Sequence, residues 1–334
     1  MKAVVFKGAG SEDLFKLESD LPVPAIGEND VLVRIVAAAF NPIDYQMTQP
    51  RPESKRMHSP ILGREFAGVV AETGARVSQF SVGDPVFAAS GSMGSNGTYA
   101  EYIRVPDQIL VLKPESLTFE EAAALPVASL TALQTYRRLA IQPDDSVFVS
   151  GAAGGVGLVF VKLLLAKGHR QIIVTAGNEV SKNELLNTGL SSAQIIDYRS
   201  EQVIEQILAA NNQLPFDHCI DMVGGSMSEV CGKVIATNGQ YADITALTTE
   251  AARHELFNKG AVIFNISNYA YSLNGNLNYY GETLRELSTL IESKLLSASP
   301  VQLVGNLSAE TVVRAHHILE KNLTKGRKLV MVVG

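Results

Sequence analysis

Residues 146–168 read SVFVSGAAGGVGLVFVKLLLAKG, and this stretch decides the fold. A short apolar run rich in Val and Phe reads as a buried strand, and the longer apolar run after it has helical length. Between them lies Ala152-Ala153-Gly154-Gly155-Val156-Gly157, a variant of the G-x-G-x-x-G pattern with Ala152 at its first position. Gly154 would let the backbone approach a pyrophosphate closely, and Gly157 would let the helix pack on the strand. The helix N-terminus would turn N–H groups and a positive dipole end toward the anion. A plain strand-to-helix turn is the bland alternative, and the surrounding rhythm separates the two.

Downstream, strand signals recur at QIIVTAG (171–177), SAQIIDY (192–198), FDHCIDMVG (216–224), GQYADIT (239–245) and AVIFNIS (261–267). With helical patterns between them they predict a doubly wound parallel sheet, a Rossmann domain. Upstream, short β signals are punctuated by Gly, Pro and Asp: AVVF near the start, DVLVRIVAAAF (30–40), EFAGVVAETG (65–74), DPVFAAS (84–90) and TYAEYIRVP (98–106). These predict a compact, mostly-β domain. The end of the chain carries two helical patterns, YYGETLRELSTLIESKLL and SAETVVRAHHILEKN, and then an apolar strand, KLVMVVG. The expected class is α/β, divided as 1–122, 123–267 and a carboxy-terminal stretch 268–334 that is not a third independent domain.

The second strand of the parallel set ends in Thr175-Ala176-Gly177. A carboxylate belongs there if the ribose 2′-hydroxyl is to be gripped, as NAD requires. With none present, a 2′-phosphate meets no repulsion, and Ser181 and Lys182 follow where a hydroxyl and a cation would hold it. The cofactor reading is therefore NADP(H). Lys182 alone reads as an ordinary solvated helix-surface lysine, and the missing acid shifts the balance.

Of the 334 residues, 46% are hydrophobic and 19% charged, the profile of a globular protein of about two domains. The net charge is −6 with no run of clustered basic residues, which argues against nucleic-acid or anionic-membrane binding and for a small-molecule partner. No apolar run reaches the length of a membrane span. The opening MKAVVFKGAG reads as a strand and turn, so a cytoplasmic location is the default expectation. Cys219 and Cys231 could form a disulfide, but buried reduced thiols are the favoured reading. The adjacent His316 and His317 point to different faces of a helix, as a surface-and-core pair does.

Through NPIDY (41–45), LGREFAGVV (62–70), GDPVFA (83–88), EEAAALPVASLTA (120–132) and GRKLVMVV (326–333), the chain resembles the medium-chain dehydrogenase/reductase superfamily over nearly its whole length. AAGGVG is the form of the glycine motif found in its zinc-free quinone oxidoreductase branch. The resemblance implies a GroES-like β domain carrying the reacting groups, a Rossmann domain, and a carboxy-terminal return to the first domain. It also implies an active site in the cleft between the domains. Dimerisation through an edge strand of the Rossmann sheet is common in the superfamily, so a homodimer is expected.

Zinc-dependent members hold catalytic zinc with a Cys, the His of a Gly-His-Glu segment, and a further Cys ahead of a Thr. The matching positions here are Asn41, Arg64 and Val127. An amide, a guanidinium and an isopropyl group cannot replace thiolate and imidazole, so no catalytic zinc is expected. The stretch SGSMGSNGT (90–98) likewise lacks the cysteines of a structural zinc lobe. Without a Lewis acid, the natural hydride acceptors for NADPH are quinones and α,β-unsaturated carbonyls, the enals and enones.

By the same resemblance Asn41 and Asp44 line the cleft near the nicotinamide, with Asn41 donating to a substrate oxygen. Tyr45 is the candidate proton donor, although solvent could serve, and Asp44 with Tyr45 reads equally as a brace for the turn after Pro42. Thr131 would sit under the nicotinamide, Tyr198 near the 2′-phosphate, and Phe264, Asn265 and Ile266 at the nicotinamide edge. Arg64 reads as an ion-pair partner of Glu65 or another buried acid before it reads as an anchor for a substrate anion. An NADPH-binding sensor, or a structural or RNA-binding protein with little turnover, is the alternative from another class. Acceptor specificity is expected in loops such as 46–60 and 268–280.

Overall fold

The computed structural model describes residues 1–9, 11, 13–50, 54, 55 and 57–334, so part of the 46–60 loop lies outside the described residues. The described chain divides into two compact units, Met1–Val127 with Tyr271–Gly334, and Ala128–Ala270.

Unit 1 opens with β1 (Ala3–Phe6), β2 (Phe15–Glu18), β3 (Asp30–Ala39), the short helix α1 (Pro42–Gln46) and β4 (Glu65–Thr73). It continues through β5 (Pro85–Ala89), β6 (Tyr102–Pro106), β7 (Val111–Leu112), α2 (Phe119–Ala123) and the start of α3 (Pro126–Leu139). Strand β3 is buried along most of its length, and its central place explains why: it pairs antiparallel with both β4 and β6. The run at 98–106 becomes strand only from Tyr102, because Tyr99 gives its N–H to Leu62 and its carbonyl to Val4 instead of to a ladder.

Unit 2 holds β8 (Val147–Ser150), α4 (Gly155–Ala166), β9 (Ile172–Ala176), α5 (Glu179–Leu186) and β10 (Ile195–Asp197). After these come α6 (Val203–Ala210), β11 (Phe216–Asp221), α7 (Ser226–Val234), β12 (Ile235–Asp243), α8 (Glu250–Asn258) and β13 (Val262–Asn265). The strand order is β10-β9-β8-β11-β12-β13, and every pairing is parallel. The winding reverses between β8 and β11, the kind of switch point at which open α/β sheets bind ligands. All four residues of β8 are buried, as a strand covered on both faces requires. Beneath one face lies a core of Phe148, Ile207, Phe216, Cys219, Cys231, Tyr241 and Leu256. Both cysteines are buried and unbonded.

The chain then passes through α9 (Tyr269–Leu273) into α10 (Asn278–Glu292), β14 (Val301–Asn306), α11 (Ala309–Glu320) and β15 (Lys328–Val332). Strand β14 has no counterpart in the sequence reading, since VQLVGN alternates poorly and ends on a glycine with φ 134°. The terminal strand β15 pairs antiparallel with β3, which returns the chain end to the first sheet. On α11, His316 is buried and His317 exposed.

Candidate active site

The glycine-rich turn has the form its sequence implies. Strand β8 ends at Ser150, Gly151 takes φ 66°, and Gly154 caps α4 in an extended conformation with no side chain on the helix end. A Cβ at Gly157 would lie 2.5 Å from the Gly151 carbonyl oxygen and 2.6 Å from Ala152 Cα, so helix and turn touch backbone to backbone. Ala152 is buried, Gly154 is exposed, and Gly155 and Val156 are half-buried beside it, leaving the lip of the turn open.

Beneath the turn is a carboxylate that sequence reasoning missed. Asp221 Oδ1 accepts from Ser150 Oγ at 2.8 Å and from the N–H groups of Val223 and Gly224 at 3.0 and 2.9 Å. Its Oδ2 accepts from the Tyr241 hydroxyl at 2.8 Å. One side chain therefore ties together the carboxyl ends of β8, β11 and β12 at the switch point. Asp followed closely by Gly after a strand is the Asx-turn signal that could have revealed it.

Gly177 follows β9 and Tyr198 follows β10, the neighbouring strand, and the Tyr198 N–H donates to the Ala176 carbonyl at 3.3 Å. Asn178 Oδ1 accepts from the Ser181 N–H at 2.9 Å and caps α5, which leaves Ser181 buried and Lys182 half-buried. Arg199, also unforeseen, grips Asp197 through Nε–Oδ1 at 3.0 Å and a terminal nitrogen–Oδ2 at 2.7 Å. Their bond holds the Asp197 carboxyl down to about 2.

Thr131 Oγ1 accepts from Asn268 Nδ2 at 2.9 Å, and Gln134 Nε2 donates to the Ser267 carbonyl at 3.2 Å. Arg138 lies 5.4 Å over the Phe264 ring and bonds the Asn265 carbonyl. Helix α3 is thus stitched to the segment 264–268, which brings Thr131, Phe264 and Ile266 into one neighbourhood of unit 2.

In unit 1, Asn41, Asp44, Arg64 and Glu65 form one buried cluster, joined by Lys328 from the chain end. Asp44 Oδ2 accepts from the Asn41 N–H at 2.8 Å, bracing the turn at the start of α1. Asn41 Nδ2 donates to Glu65 Oε1 at 2.8 Å, and Asn41 Oδ1 accepts from Lys328 Nζ. Lys328 Nζ also lies 2.7 Å from Glu65 Oε1, while Glu65 Oε2 accepts from the Val127 N–H at 2.8 Å. Glu65 is therefore paired with Lys328 and not with Arg64, whose Nε stands 3.8 Å from Asp44 Oδ1. That gap is too long for a hydrogen bond. Burial outweighs the guanidinium and pushes the Asp44 carboxyl up to about 6.

Tyr99, fully buried behind the cluster, places its hydroxyl 3.3 Å from His316 Nε2, and burial pushes His316 down to about 3. Tyr45, next to Asp44, is half-buried. No sequence spacing could join residues 41, 65 and 328.

A family model described as the alcohol dehydrogenase GroES-like domain matches residues 27–115, and one described as zinc-binding dehydrogenase matches 190–330. The chain is 34% identical to 2-methylene-furan-3-one reductase of Solanum lycopersicum over 99% of its own length and 79% of that protein's. The chain belongs to the medium-chain dehydrogenase/reductase superfamily.

Another superfamily member, the chloroplastic NADPH-dependent alkenal/one oxidoreductase of Arabidopsis thaliana, is 33% identical across 81% of this chain and 70% of that protein. Among solved medium-chain structures, the quinone oxidoreductase from Coxiella burnetii superposes with a TM-score of 0.82 at 29% identity, covering 100% of this chain and 99% of that one. In superfamily terms, unit 1 is the GroES-like part and unit 2 the Rossmann part. Among the described residues, no three His, Cys, Asp or Glu side chains gather as a metal would need.

Proposed function

We propose that the chain is an NADPH-dependent reductase that transfers hydride to quinones or α,β-unsaturated carbonyls and works without zinc. One observation carries the reading. Two of the superfamily's zinc-ligand positions are Asn41 and Arg64, both within a buried ion cluster, while the glycine turn that serves a dinucleotide is intact. Val127, at the third, contributes a backbone N–H to Glu65. The relatives named alkenal/one oxidoreductase and furanone reductase support the same substrate class.

The open N-terminus of α4 with Gly154, Gly155 and Val156 would hold the pyrophosphate, and Ser181, Lys182 and Tyr198 the 2′-phosphate. Thr131, Phe264 and Ile266 would bound the nicotinamide. When bound, NADPH supplies the hydride. Asn41 has two amide hydrogens, of which Glu65 takes one, and the other would donate to the substrate oxygen as negative charge develops there. Lys328 on Oδ1 fixes which end of that amide faces Glu65. Tyr45 would return a proton to the reduced product. The reading also includes a cytoplasmic protein and a homodimer formed through edge strand β13, where Val262 and Ile263 are exposed.

NADPH oxidation with a panel of quinones, enals and simple alcohols, with and without chelator, tests the reading. Quinones or enals should be reduced, NADPH preferred to NADH, and activity kept in chelator. Alcohol oxidation lost on metal removal, with every quinone and enal inert, would contradict it.

A further inference from the structure

Gly177 ends the second strand of the Rossmann sheet, yet its backbone does not call for glycine. It is absent from the positive-φ residues of the chain, so any L residue could adopt its conformation. The space around it is what excludes one. A Cβ at position 177 would lie 2.3 Å from Tyr198 Cε1, 2.5 Å from Cζ and 2.6 Å from the phenol oxygen. The Tyr198 ring therefore rests against the bare Cα of Gly177, with 43% of the residue open to solvent. The register holds the two together: Asp197 pairs with Ala176 on the adjacent parallel strand, and Arg199 clamps Asp197 from the other side.

We propose that Gly177 and Tyr198 act as one specificity-determining element, in which the seated ring bars every side chain, a carboxylate included, from the end of the second strand. The proposal rests on the NADPH reading and deepens it. A missing acid explains why a 2′-phosphate is tolerated, whereas the ring explains why an acid cannot be added. The ring is at the free end of an exposed side chain, so a residue at 177 displaces it without moving backbone. The cofactor's ribose then loses the phenol at the moment the new side chain arrives. Gly177→Asp alone builds no NADH site, because it evicts the ring and leaves a carboxylate in a disturbed pocket.

The test is a double-mutant cycle on the full-length protein, titrating NADPH and NADH against wild type, Gly177→Ala, Tyr198→Ala and the double variant, with thermal unfolding alongside. Alanine adds a methyl group and no charge. Gly177→Ala should weaken nucleotide binding about tenfold in the wild type and less than about twofold in the Tyr198→Ala background, since the clash partner is gone. Tyr198→Phe keeps the ring and should keep the full sensitivity to Gly177→Ala. Gly177→Asp with Tyr198→Ala should bind NADH more tightly than Gly177→Asp alone.

Equal losses in both backgrounds, or no loss with the ring in place, overturn the proposal. A Gly177→Ala protein that unfolds but is restored by Tyr198→Ala supports the clash, and one that stays unfolded in both backgrounds counts against it. The cofactor reading fails separately. A wild type that favours NADH refutes that reading, while the coupling between 177 and 198 is measured with either nucleotide.

Discussion

Asp44 is 1% exposed, and burial outweighs its one nearby guanidinium, so its carboxyl titrates near 6 in the folded protein. Unfolded, it titrates near 3.8. The folded state holds the proton more tightly, so the stability Asp44 contributes is complete below the unfolded value and is lost as pH rises through about 6. An asparagine cannot ionise and lacks this dependence. Between about pH 8 and pH 5, wild-type stability relative to Asp44→Asn should rise toward acid by about 1–2 kcal/mol. Urea unfolding across that range measures it, and a difference that stays flat or falls toward acid would show that Asp44 ionises normally in the fold.

The β8–turn–α4 element separates two glycines that look alike in sequence. At Gly157 a methyl group meets backbone atoms of Gly151 and Ala152 that cannot step aside, whereas at Gly154 its nearest neighbour is the Gly151 carbonyl oxygen at 3.2 Å. Gly157→Ala should therefore destabilise the protein by about 1–3 kcal/mol through overpacking. Gly154→Ala should leave stability within about 0.5 kcal/mol. Gly154 stands on the exposed lip of the turn, so its substitution should show instead as weaker NADPH binding. Unfolding temperatures and NADPH titrations of both variants would check this, and equal destabilisation would mean that the close helix–turn contact is not specific to Gly157.

Across the whole molecule, unit 1 is completed by the last strand. Lys328, at the start of β15, is 8% exposed against a Glu65 that is fully buried, and both hold Asn41. Removing one partner of a buried pair strands the other charge, so Lys328→Met should cost about 3–5 kcal/mol. Adding Glu65→Gln to it should recover part of that loss. Denaturant unfolding of the two variants decides the matter, and a double variant less stable than Lys328→Met alone would show that Glu65 is held by other groups.

Local patterning was enough to determine the six parallel strands, the glycine turn, the missing acid at Gly177 and the departures at Asn41, Arg64 and Val127. Each depends on residues close together in the chain, where periodicity and turn chemistry act directly. Strand β14 escaped because its pattern is weak and its place is set by pairing with β15. Only the tertiary structure decided that Glu65 pairs with Lys328 and not Arg64, that Asp221 underlies the glycine turn, and that Tyr198 covers Gly177. Those contacts join distant positions brought side by side by sheet register, and burial then sets their energies, which no short window of sequence can express.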